Sequence, residues 1–131
     1  MAITTNRSDL GVELESFHPR WPTRGIDLAG VWEEYDPIAD ELLVYFGGQP
    51  VGAVNVPIDS PDRDYVELLV DEETDEVVGL QVDALRAWVG RERPPWAPLA
   101  DDGASPERRR EAIASLIVEA AGLFALHGAG A

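Results

Sequence analysis

Polar and apolar positions change rhythm along this chain. Between residues 31 and 82, apolar residues come in short runs broken by turn formers. Val66, Leu68 and Val70 alternate with Glu67 and Leu69, and Val78, Leu80 and Val82 alternate with Gly79 and Gln81. A period of two puts alternate side chains on one face of a strand. The pattern predicts strands at 65–70 and 77–82, with Val78 pointing inward. Gly79 in mid-strand marks a bulge or a close neighbour. Residues 31–35 and 53–56 predict two more strands. Residues 42–46 read LLVYF without a polar break, the pattern of a central strand covered on both faces. Turns fall at Asp36-Pro37-Ile38-Ala39-Asp40, at Gly47-Gly48-Gln49-Pro50, in the loop through Asp64, and at 71–76. Pro presets a turn dihedral and Asp bonds the backbone two residues on.

Beyond residue 104 the period lengthens to that of a helix. Ile113, Leu116, Ile117, Ala120 and Phe124 recur at three and four, and Leu123 broadens the stripe. Ser105 suits the N-cap, Pro106 the first helical position and Gly128 the stop. A shorter helix is expected over 84–89, capped by Asp83 and stopped by Gly90. Residues 91–104 read as a Pro-rich, semi-extended linker wedged by Trp96. Residues 1–30 read as an extended arm, with a short edge strand at 12–15. Its Phe17 and Trp21 are expected to pack on the body or on a second subunit. The expectation is one α+β domain over 1–131: arm (1–30), β-meander (31–82), short helix (83–90), linker (91–104) and C-terminal helix (105–127). The sheet is antiparallel, of four to five strands, with both helices packed on it.

Charge narrows the choice of partners. The chain has 131 residues, with 25 Asp and Glu against 10 Arg, for a net charge of −15. Such a protein repels nucleic-acid phosphates and anionic membranes, and its field favours basic partners or cations. With no cysteine, disulfides and thiolate metal sites are excluded. The start of the chain lacks the apolar core of a signal peptide, and Glu119 interrupts the most apolar run, so the cytoplasm is the expected compartment. Arg108, Arg109 and Arg110 lie at the positive end of the last helix, where Glu107, Glu111 and the acidic loops are expected to offset them.

Tyr35-Asp36-Pro37-Ile38-Ala39-Asp40-Glu41-Leu42 resembles the opening of DUF2283, a small bacterial family of unknown function. Val70-Asp71 and Glu76-Val77-Val78-Gly79-Leu80-Gln81-Val82 resemble its closing acidic turn and strand. Gln81 stands where an acid is common, Leu80 where Ile is usual, and the insertion between the halves is long. The resemblance covers about 50 residues, 31–82. It implies a small antiparallel sheet with a helix and no established activity. Some members look like partners of small toxin-like proteins, which would imply a basic partner here.

Few residues suggest chemistry. Asp36 and Asp40 bracket one turn and are the metal candidates, although turn formation explains the same pair. Two further acidic groups, Asp59, Asp62 and Asp64 and the run at 71–76, lack the order of a calcium loop. His18 and His127 lie at opposite ends of the chain, and no catalytic triad, phosphate loop or cofactor motif is legible. No catalytic residue and no cofactor is therefore assigned. Trp21, Trp32, Trp88 and Trp96, with Leu116 and Phe124, are candidates for an interface, with core packing or a ligand pocket as alternatives. The expected function is that of an acidic, non-catalytic interaction protein that self-associates or binds a basic protein. The alternative is a domain that binds small molecules or divalent cations.

Overall fold

The computed structural model describes residues 19–22, 25–58, 65–89 and 92–127, the side chains of Trp88, Leu126 and His127 excepted. The expected edge strand at 12–15, Phe17, His18, Gly90, Gly128 and the acids of 59–64 lie outside the described residues. Five strands form one antiparallel sheet: β1 (Trp32–Asp36), β2 (Glu41–Tyr45), β3 (Val54–Pro57), β4 (Val66–Val70) and β5 (Val77–Asp83). Helix α1 (Leu85–Val89) follows, then a 3-10 helix (Pro94–Ala100), then α2 (Pro106–His127). The α+β architecture is therefore as the pattern predicts.

The strand order β1-β2-β5-β4-β3 corrects the simple meander. After β2 the chain crosses to the far edge, and two hairpins return it so that β5 pairs with β2. The central place thus goes to β5, which supplies Val77, Leu80 and Val82 to the core. β2 shows alternating burial, with Leu42 and Val44 at 0% exposure and Leu43 and Tyr45 half-buried, so it is not covered on both faces.

Gly79 is explained by a close neighbour and an adjacent bulge. Leu69 pairs with Gly79 and Val70 with Val77, so Val78 is the extra residue. The bulge turns Val77 inward and leaves Val78 half-buried, the reverse of the expected parity. A methyl at Gly79 would overlap the Val44 carbonyl oxygen and meet Leu69 Cδ1 and Tyr45 Cα, both at 3.2 Å.

All described helices pack on one face of the sheet. Ala112, Ile113, Leu116, Ile117 and Ala120 of α2 meet the strand residues Leu42, Val44, Val66, Leu68 and Leu80 in one core. Full burial of a side chain such as Leu116 is worth about 2 kcal/mol. Ser105 caps α2 by accepting the Arg108 N–H at 3.2 Å. The linker is more ordered than its prolines suggest: Trp96 is fully buried, donates to Ser115 Oγ at 3.3 Å, and fixes a 3-10 helix. Trp21 packs on the body of the same chain, between Phe46 (5.8 Å) and Phe124 (6.3 Å). Arg20 reinforces this attachment, pairing its backbone with Asp75 and Val77 and its side chain with the Thr74 carbonyl. Among the described residues, no helix is long and apolar enough to cross a membrane.

Candidate functional site: the helix-free face of the sheet

The Asp36–Asp40 turn is built for structure. Asp36 Oδ1 accepts the N–H groups of Ile38 (2.9 Å) and Ala39 (3.3 Å), closing the turn around Pro37. Asp40 sits in the left-handed region at φ 55°. Its carboxylate reaches α1, accepting from Arg86 N at 2.7 Å and Ala87 N at 3.4 Å. Asp40 thus does the capping expected of Asp83, which instead closes β5. A third donor, the Tyr35 hydroxyl, lies 2.5 Å from Asp40 Oδ1. Burial pushes Asp40 up, but the Tyr35 hydroxyl and the two helix N–H groups outweigh it and hold the carboxyl below its ordinary value. Burial and the bond to Asp40 push Tyr35 up to about 12. Both candidate metal ligands thus accept hydrogen bonds from the protein, Asp36 within its turn and Asp40 from Tyr35 and α1. Among the described residues, no three acidic or histidine side chains converge on a point that could hold a metal ion.

The other interface candidates part company. Trp96 and Leu116 are fully buried inside the chain and offer no surface to a partner. Trp21 and Phe124 pack on each other. Trp88 keeps its place in α1, but its side chain lies outside the described residues. Trp32 stands against Tyr45 at 5.8 Å, on the face away from the helices.

That face is arranged in rows set by strand register. Trp32, Tyr45, Gly79, Leu69 and Asn55 cross the sheet at one end. Glu34, Leu43, Gln81, Glu67 and Pro57 form the middle row. Asp36, Glu41 and Asp83 form the other end. The face therefore grades from aromatic and apolar to acidic. Asn55 Nδ2 donates to Glu67 Oε1 (2.9 Å) and Gln81 Oε1 (2.8 Å), and Gln81 Nε2 donates to Glu41 Oε2 and Asp83 Oδ1, both at 3.1 Å. These amides orient the carboxylates without neutralising them. No described strand contains an arginine or lysine. Burial first, then the charges of Asp83, Asp36 and Glu67, push Glu41 above the usual carboxylate value.

Positive charge is engaged on the opposite side. Arg109 meets Glu33 at 2.6 Å and donates to the Pro98 and Asp101 carbonyls. Arg93 meets Glu119 at 2.7 Å, and Glu119 also accepts from Tyr65. Within the arginine run of α2, Arg109 thus finds β1 and the end of the 3-10 segment, where acidic loops were expected. Sequence reasoning missed the Asn55–Glu67–Gln81–Glu41 ladder. Its only trace was alternation, which places Glu67 and Gln81 opposite the core residues but cannot show that they are neighbours.

The chain matches no family model, no curated protein and no solved structure.

Proposed function

We propose that this protein is a non-catalytic interaction domain that docks a basic partner protein on the helix-free face of its sheet. One observation carries the reading: five carboxylates, from Glu34, Asp36, Glu41, Glu67 and Asp83, share that face with the Trp32–Tyr45 pair and, among the described residues, with no basic residue. Burial first, and then the neighbouring carboxylates, raise Glu41, and a partner's arginine would offset the charges of those neighbours. Arginine also stacks on aromatic rings, so one residue type suits both ends of the face. The sequence patterns at 35–42 and 76–82 support membership of DUF2283, which bears on the fold and carries no activity of its own.

Titration with nona-arginine tests the reading, followed by amide chemical shifts. Perturbed residues should cluster on β1, β2, β4 and β5. Glu34→Gln, Glu67→Gln and Asp83→Asn together should weaken binding at least tenfold. A control removing three acids elsewhere, Glu72→Gln, Glu73→Gln and Asp102→Asn, should not. Equal losses in the two triple variants would reduce the effect to net charge and end the proposal.

Self-association is the second reading, and Val118 favours it. This residue of α2 is 71% exposed beside a groove lined by Trp21, Ile26, Leu28 and Ile117. Sedimentation at micromolar concentration tests it; a monomer in both wild type and Val118→Glu would dismiss it.

A further inference from the structure

A second site lies where the chain enters the sheet. A cleft of about 630 Å³ opens between the segment before β1 and the adjoining ends of β2 and β5. Its walls include Ile26, Asp27, Phe46, Val51, Glu76 and Val78. The bulge of β5 shapes it: with Val77 turned into the core, Val78 is left half-buried on the wall. Phe46 is held in two ways, by its N–H on the Val78 carbonyl at 2.9 Å and by Trp21 at 5.8 Å. The apolar wall is therefore fixed by sheet pairing, which suits a preformed site of this size.

The charged residues described in the lining have one sign. Asp27 and Glu76 contribute to it, and no described arginine or histidine does. The Asp27 carboxylate accepts the Ala29 N–H, whereas that of Glu76 has no partner among the described residues. Low-dielectric walls in a chain of net charge −15 concentrate a negative potential in such a cleft and turn anions away. We infer that the cleft binds a flat organic cation, an aromatic ring system bearing a protonated amine. The ring lies along Phe46 and Val78, and the charge is directed to Glu76 and Asp27. This site is separate from the acidic sheet face, and either can fail without the other.

The test is a fluorescence titration with 9-aminoacridine, a planar cation. It is run at roughly 0.15 M salt, where charges beyond about 8 Å are screened. The planar anion 1-anilinonaphthalene-8-sulfonate serves as control. Val51→Trp closes the mouth at a residue already 42% exposed, which spares the core. Glu76→Gln removes the charge and keeps the shape. The cation should bind at one saturable site, weakened roughly tenfold by either variant, the scale of one charge-assisted contact. Glu72→Gln should leave it unchanged. Three results would overturn the inference: no saturable uptake by the wild type, unchanged affinity in Val51→Trp, or equal binding of the anion.

Discussion

Asp40 shows how much one residue can hold. It stands at φ 55°, accepts the Tyr35 hydroxyl, and caps a helix more than forty residues away in sequence. Asp40→Ala removes the cap and leaves a left-handed residue with no side chain to compensate, so stability should fall by about 2 kcal/mol. Asp40→Asn tolerates the backbone and keeps one acceptor, so urea midpoints should show a smaller loss. Asp40 and its neighbour Glu41 also respond to pH with opposite signs. The lowered carboxyl of Asp40 adds stability above the ordinary carboxylate range, lost as pH falls through its folded value. The raised carboxyl of Glu41 does the reverse: stability falls as pH rises from the ordinary glutamate value through the folded one. Glu41→Gln should therefore be more stable than wild type at pH 7. The difference should vanish below about pH 4, where glutamate is protonated in both states. Gly79 sets a steric limit. Gly79→Ala would drive a methyl into the Val44 carbonyl, which is tied into the β2–β5 ladder, and should cost about 3 kcal/mol in urea unfolding.

The elements differ in how openly the chain announces them. α2 was legible almost to the residue, because Ser105, Pro106 and a stripe at three and four are local signals. Every described strand lies within one residue, at either end, of where the pattern predicts it, because alternation and turn chemistry are local too. The 3-10 helix at Pro94–Ala100 was not foreseen. It exists because Trp96 finds a pocket made by Tyr65, Ser115 and the sheet, and no local pattern encodes that pocket. The Val77–Val78 inversion escaped for a similar reason, since a bulge shifts parity without changing composition. Two positions on α2 separate core from surface. Leu116→Ala should lose about 3 kcal/mol, from transfer and cavity together, while Val118→Ser should leave the thermal midpoint nearly unchanged.

At the scale of the molecule the charges are sorted. The described arginines serve the helical layer and the loops, closing Glu33 to Arg109 and Glu119 to Arg93, whereas the described charged side chains on the far side of the sheet are all acidic and are bridged by amides. A partner held on that side by ion pairs should bind less tightly as salt rises. A plot of log affinity for nona-arginine against log salt should have a negative slope, made shallower by the Glu34, Glu67 and Asp83 triple variant.

The sequence by itself determined the α+β class, the place of each strand, the long helix and the acidic character. All of these depend on residue type at short spacing, where backbone sterics and burial of alternate side chains act locally. Tertiary structure decided the pairing of β5 with β2, the reach of Asp40 to α1, the sorting of charge between two faces and the cleft beside Phe46. Those depend on which distant segments meet, and the energy that selects them appears only when the whole core closes at once.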